Sequence, residues 1–281
     1  MIDLCIVSYN TQMDLNRLLT TLNARDLTNA PYTLYIQDNG SEDGSAQYVS
    51  RLMEIHDDHD EFPSLGGVWL KDNVGYAAAA NHLATHGSGD IIGILNSDVW
   101  LKPSDVLSIQ AAFDQDSGMH IMGPKQRDDE GRITHAGIIG TLAAPAHRGW
   151  REHDPQDLKY RDQIDCVTVS GAAFFVRRNV WEALTNNVKY QTFVKEAVAS
   201  GLITAPHEPL GPFLPTRHYY EETFCSYLAH HMGYNIKYDG RISIGHGGHK
   251  GHAVGSWQDK LFKESQKIFR EACDYMGIEH D

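Results

Sequence analysis

Asp90-Ile91-Ile92-Gly93-Ile94-Leu95-Asn96-Ser97-Asp98-Val99-Trp100-Leu101 sets a short apolar run directly against a polar corner that carries a carboxylate. A run of this length bounded by polar residues reads as a buried strand. In open α/β sheets ligands sit beyond the carboxyl ends of the strands. An acid delivered there is placed to hold a divalent cation and the phosphates that the cation bridges. Asp98 is therefore the first candidate metal ligand, with Mn²⁺ or Mg²⁺ as the ion its hard oxygens suit. The alternative use of Asp98 is to cap the helix expected from Pro103, a task open also to Ser104 or Asp105.

Working outward, the same unit repeats upstream. Leu4 to Ser8 is short and apolar, and Met13 to Leu22 then puts Leu15, Leu18, Leu19 and Leu22 on one helical face. Tyr32 to Gln37 alternates towards Asp38-Asn39-Gly40-Ser41, and Gly44 to Ile55 reads as a helix. Val68 to Leu70 is a third strand, Gly75 to Thr85 an Ala-rich helix, and Ile91 to Leu95 a fourth strand. Alternating strand and helix predicts an α/β fold with a mainly parallel, twisted sheet flanked by helices.

Each of these strands runs into small or amide-bearing polar residues: Ser8-Tyr9-Asn10, Asp38-Asn39-Gly40-Ser41, Asp72-Asn73 and Asn96-Ser97-Asp98. Asn, Asp and Gly also make ordinary turns. Repeated along one sheet edge, however, they form a rim able to hydrogen-bond a base and ribose while Asp98 faces a diphosphate. A nucleotide sugar matches that division. The chain lacks Gly-x-Gly-x-x-Gly after its first strand and lacks a P-loop, which removes the usual dinucleotide and nucleoside triphosphate signals.

The composition narrows the partners. With 24 Lys and Arg against 37 Asp and Glu, the formal charge of −13 disfavours nucleic acid and anionic lipid. Cys5, Cys166, Cys225 and Cys273 stand far apart, suggesting neither a zinc site nor a disulfide framework. No basic leader and no apolar run of membrane-spanning length is present, so a soluble cytoplasmic protein is expected.

The ordered motifs resemble those of family 2 glycosyltransferases of the GT-A fold, in their rhamnosyltransferase-like branch. Val7-Ser8-Tyr9-Asn10 resembles the family's opening strand, and Asp38-Asn39-Gly40-Ser41-Glu42-Asp43-Gly44-Ser45 its Asp-Asn-x-Ser-x-Asp-Gly-Ser signature. Asn73 to Asn81 is similar to Asn-x-Gly-Phe-Ala-x-Ala-x-Asn, and Leu95-Asn96-Ser97-Asp98 to Leu-Asn-Pro-Asp, the family's form of Asp-x-Asp. Ser170 to Arg178 resembles the strand facing donor sugar and acceptor, Tyr220 to Tyr234 the Glu-Asp-x-Asp-Leu helix, and His246-Gly247-Gly248-His249 the segment closing over the diphosphate.

The resemblance implies a mixed, mainly parallel GT-A sheet over residues 1–255. It has a nucleotide-sugar half near 1–100, an acceptor half at 101–255 and a C-terminal amphipathic helix at 256–281. It implies a metal-dependent, inverting hexosyltransferase using a dTDP- or UDP-sugar and a glycan, lipid-linked or protein acceptor. Ser8, Tyr9, Asn10, Asp38, Asn39, Gly40, Asn73, Gly75, Asn81, Asn96, Gly171 and Ala172 would bind the donor. Asp98 and His246 would hold the metal, and Glu222 or Glu221 would be the base. Three features depart from the family: Glu222 stands for an Asp, Phe224 for the helix's second acid, and residues 186–217 form an insertion. Pro206, Pro209, Pro212 and Pro215 predict extended backbone in that insertion, lying over the acceptor cleft.

Gly245 to Gly255 carries His246, His249 and His252 among five glycines, a composition suited to a loop that reaches phosphate or metal. The glycines preclude a helix that would align the three for zinc. Trp150 with Arg148 and Arg151 could stack on a sugar, although loop packing explains them as simply. Leu261, Ser265, Ile268, Phe269, Ala272 and Met276 form one stripe that packs on the chain's own core, or in a homodimer on a second copy. Two other classes compete. A nucleotidyltransferase would need a basic phosphate loop after the first strand, and residues 8–12 hold no basic residue. A non-catalytic nucleotide-sugar-binding module would keep the rim without the base.

Overall fold

Strand and helix alternate from the first residues. β1 (Ile2–Ser8), α1 (Gln12–Thr21), β2 (Tyr32–Asp38), α2 (Ser45–Asp58), β3 (Leu65–Leu70), α3 (Tyr76–Ala84) and β4 (Ile91–Asn96) follow in order. The structure, a computed structural model, describes residues 1–22, 30–58, 65–247 and 256–280. Every residue of β1 is buried, since helices cover both faces of a parallel strand. Leu15, Leu18 and Leu19 of α1, with Leu22 beyond it, close one of those faces.

The chain continues through β5 (Val99–Trp100), α4 (Pro103–Gln115), β6 (Ile121–Arg127), β7 (Ile133–His135), the hairpin of β8 (Ile138–Thr141) and β9 (Ala144–His147), then β10 (Gln163–Asp165) and β11 (Ala173–Arg177). One sheet runs in the order β10, β12, β6, β11, β4, β1, β2, β3, where β12 spans Ile236–His246. The β3-β2-β1-β4 portion is parallel, as the alternation predicts. β11 then enters antiparallel between β4 and β6, which makes the sheet mixed. That reversal brings the turn before β11 beside the end of β4, where Asn96 N donates to Ala172 O at 2.9 Å.

Beyond β11 come α5 (Arg178–Thr185), α6 (Val188–Ala199), α7 (Glu221–His231) and, after β12, α8 (Trp257–Met276). α8 buries Ser265, Ile268, Phe269, Ala272 and Met276 within its own chain, Phe269 stacking on Tyr220 at 4.9 Å, while Leu261 is half-buried. The amphipathic stripe thus packs on the core of this chain. Ser256 caps its start by accepting from Asp259 N, and Gly277, at φ 75°, ends it.

The insertion differs from the extended cover expected of it. Its first part is α6, capped by Asn187 and burying Tyr190, Phe193, Val194 and Ala197. Only the proline-bearing part lacks helix, apart from which its Phe213 and Leu214 are fully buried. Phe213 packs against Phe174 at 5.4 Å and Trp181 at 5.3 Å, so the segment contributes to the core. A clamp fixes it there. Asn81 donates through Nδ2 to Phe213 O at 3.0 Å and accepts from Phe213 N at 3.3 Å. A side chain on Gly211 would collide with Asn81, its Cβ falling 2.3 Å from Oδ1.

Asn81→Ala orphans both main-chain groups of a buried residue and is expected to cost about 1–3 kcal/mol for each group left unsatisfied. Urea denaturation measures this. A variant unfolding at the wild-type urea concentration would show that the clamp is dispensable.

Candidate active site

The carboxyl ends of the parallel strands carry the expected rim, and the corners bind one another. Asp38 is buried and accepts from Gly40 N at 3.1 Å, Ser41 N at 2.9 Å and Ser41 Oγ at 2.7 Å, which folds its own corner. Asn10, at φ 53°, accepts from Glu42 N at 2.8 Å, tying the first corner to the second. Asn39 donates to Gly75 O at 3.2 Å and so joins the second corner to the third. Asn73 accepts from Gly75 N at 3.0 Å, and Gly75 takes φ 83° ahead of α3, a backbone state that glycine adopts without strain. Ser8 Oγ meets Thr11 Oγ1 at 3.2 Å, which meets Ser97 Oγ at 2.7 Å, linking the first corner to the fourth. Tyr9 stands 49% exposed at the rim, its ring open to a ligand.

Asp98 lies two residues beyond β4, in the turn that leads to β5. Its main-chain O accepts from Gly247 N at 2.8 Å, and β5 pairs antiparallel with the end of β12 through Val99 and His246. The pairing brings His246 Nε2 to 3.6 Å from Asp98 Oδ2. His246 Nδ1 lies 3.2 Å from Thr134 Oγ1, which orients the ring. A Cβ on Gly247 would stand 3.3 Å from Asp98 Oδ2, so the glycine leaves that carboxylate room. The capping alternative fails: Asp105 Oδ2 accepts from Lys102 N at 2.7 Å at the start of α4. One carboxylate oxygen and one imidazole nitrogen are ligand types that suit a divalent cation whose remaining positions go to phosphate oxygens and water. Among the described residues no group of three or more His, Cys, Asp or Glu converges on one point. His249 and His252 lie outside the described residues.

The acids of α7 face the turn before β11. A Cβ on Gly171 would fall 2.9 Å from Glu222 Cδ, so the missing side chain is what admits Glu222. Tyr76 donates through its hydroxyl to Gly171 O at 3.0 Å. Burial, followed by the charges of Glu221, Glu222 and Asp98, holds the Tyr76 hydroxyl well above the usual phenol range, which places all these carboxylates within electrostatic reach of one side chain. Tyr76, which sequence reasoning passed over as a candidate, joins this cluster. Its signal was the aromatic position in the Asn-x-Gly-aromatic motif.

Glu221 is buried and Glu222 half-buried. Burial and then the charge of Glu222 push Glu221 well above the usual carboxylate range, and its Oε2 lacks a hydrogen-bond partner among the described residues. Burial also raises Glu222, against the opposing pull of its own N–H and those of Gly171 and Thr223. Tyr219 at φ 72° and Tyr220 at φ 69° precede them in left-handed backbone, costing about 1–3 kcal/mol each for such bulky residues. Thr216 Oγ1 donates to Tyr219 O at 2.8 Å and the Tyr220 ring packs on Phe269, so the neighbours enforce the bend that aims α7.

Other expected contacts fall elsewhere. Asn81, expected to bind the donor, is 2% exposed, and both ends of its amide belong to the Phe213 clamp. Arg148 pairs with Asp162 at 2.7 Å and covers Tyr160 at 4.6 Å, which is loop packing. A cavity of about 380 Å³ beside Trp100, Arg127 and Gly245 includes none of the expected site residues.

Residues 3–185 match the family described as Glycosyl transferase family 2. The chain belongs to that family. Abequosyltransferase RfbV of Salmonella typhimurium is 22% identical over 204 residues, 68% of this chain, and the chain spans 56% of that protein's length. An uncharacterized protein, y4gI of Sinorhizobium fredii, is 29% identical over 115 residues, covering 39% of this chain and 12% of its own. The fold is that of S. aureus TarS 1–349 (TM-score 0.56, 12% identity, 100% of this chain and 66% of that one). It is equally that of GalNAc-T7 crystallised with UDP, GalNAc and Mn²⁺ (TM-score 0.58, 13% identity, 98% of this chain and 50% of that one). No helix among the described residues is long and apolar enough to cross a membrane.

Proposed function

We propose that this family 2 chain is a metal-dependent, inverting glycosyltransferase that moves a hexosyl group from a dTDP- or UDP-sugar to a hydroxyl of a glycan, lipid-linked or protein acceptor. It falls in the rhamnosyltransferase-like branch. The observation that carries this reading is the convergence of Asp98 with His246 and of Glu222 with Gly171 at the end of β4. TarS has been crystallised with UDP-GlcNAc, which supports a nucleotide-sugar donor for the shared fold.

Asp98 and His246 would hold the cation. Such an ion supplies positive charge to the diphosphate as it leaves. The corner residues Ser8, Tyr9, Asn10, Asp38, Asn39, Gly40, Asn73 and Asn96 orient the nucleotide, and Gly171 and Ala172 leave space for the sugar. The acceptor oxygen bonds to the anomeric carbon as the carbon–oxygen bond to the diphosphate breaks, and the hydroxyl proton passes to Glu222. One displacement inverts the anomeric centre. Half-buried Glu222 is reachable by an acceptor, whereas Glu221 is enclosed, and the charge of Glu222 disfavours a second charge on Glu221.

Melting the protein with UDP, GDP, dTDP and CDP, each with and without Mn²⁺, tests the donor assignment. A preferred ligand at a hundredfold its dissociation constant adds about 2.7 kcal/mol. UDP or dTDP with Mn²⁺ should give the largest rise in Tm. Four silent nucleotides would sink the assignment.

A further inference from the structure

Behind the rim, His82 in the last turn of α3 and His86, just beyond the end of that helix, bring their Nε2 atoms to 3.5 Å from each other. Two imidazole nitrogens bound at about 2.05 Å to one tetrahedral ion stand about 3.4 Å apart. Both rings are held in place. Trp69 stacks on His86 at 4.3 Å and meets His82 edge-on at 5.3 Å. His82 Nδ1 lies 2.9 Å from Gln37 Oε1, and Gln37 Nε2 donates to Asn39 Oδ1 at 2.8 Å. The Gln37 carbonyl therefore accepts a hydrogen bond from Nδ1–H, which leaves the lone pair on Nε2. That is the support by which metal-binding histidines are oriented. Both histidines are half-buried and reachable from solvent, and a helix C-terminus favours a cation.

We propose that His82 and His86 form a second cation site, taking a borderline transition-metal ion of the Zn²⁺ or Cu²⁺ class through their two Nε2 atoms, with water completing its shell. The site shares no residue with the Asp98–His246 pair and, with two imidazoles and no carboxylate, favours softer ions than that pair does. Lys71 competes for it: its ammonium lies 3.1 Å from His82 Nε2 and shares the same lone pair. Lys71 is exposed, so it turns outward when an ion binds.

Calorimetric titration with Zn²⁺ at neutral pH, in an Asp98→Ala background that removes the other site, tests the proposal. One ion should bind, and His82→Ala or His86→Ala should weaken it by about tenfold or more. Lys71→Met should tighten it, a change of sign that disruption of the fold does not produce. Cu²⁺ should show electron-spin coupling to two imidazole nitrogens, lost in the double histidine variant. Melting in EDTA confirms that each variant is folded. Undiminished Zn²⁺ affinity in both histidine variants, or a Cu²⁺ spectrum unchanged by them, overturns the site.

Discussion

Asp98→Ala should lower Mn²⁺-supported release of nucleoside diphosphate about a thousandfold, the scale on which loss of one preorganised group facing a developing charge is felt. The variant should remain folded. What holds this corner in place is main-chain: Asp98 O accepts from Gly247 N, and β5 pairs with β12, and neither needs the carboxylate. Loss of turnover with an unchanged melting temperature in the absence of ligand would therefore locate the defect in the site. Turnover within a few-fold of wild type would remove Asp98 from the mechanism and leave the nucleotide-binding rim without a reaction.

The second large effect belongs to α7. Glu222→Gln should reduce kcat by about a hundredfold to ten-thousandfold, the usual contribution of a general base, with a smaller change in KM. Because burial raises Glu222, the wild-type activity should climb with pH along a limb lying above the ordinary carboxylate range, and Glu222→Gln should erase that limb. Glu221 makes a thermodynamic statement of its own. Its folded pKa is raised, so the stability it contributes is complete below the unfolded value near 4.3 and is lost as pH rises towards the folded value. Over that interval stability should fall by up to about 1.4 kcal/mol per pH unit. Glu221→Gln should flatten the slope and raise Tm at neutral pH while leaving it nearly unchanged at pH about 4. A variant whose melting profile keeps the wild-type slope would assign the titration to other groups.

The first four strands and three helices are legible in the sequence because a parallel sheet demands local signals. Its strands are continuous apolar runs, and its helices carry one apolar stripe, as Leu15, Leu18 and Leu19 show. The rim is legible for the same reason: each corner follows its strand at once. What escapes is set by distant partners. The role of Asn81 depends on Phe213, far along the chain, and α6 hides beside a proline series that dominates its neighbourhood. The left-handed pair Tyr219 and Tyr220 contradicts local preference and is imposed by Thr216 and Phe269. Glu221 and Glu222 read alike as adjacent acids at a helix start. Only packing separates the enclosed one from the reachable one.

The Asn81 clamp also bears on how such a protein diversifies. Glycan specificity is often imagined as exchangeable, a peripheral loop swapped while the chassis stays constant. Here the extra segment interlocks with α3, whose opening residues Gly75 and Tyr76 border the nucleotide corners, and its end leads straight into the strained approach to Glu221. Grafting it from one homologue to another would transplant structural timber, so changes in the segment should be tolerated only when paired with changes at Asn81 and its neighbours.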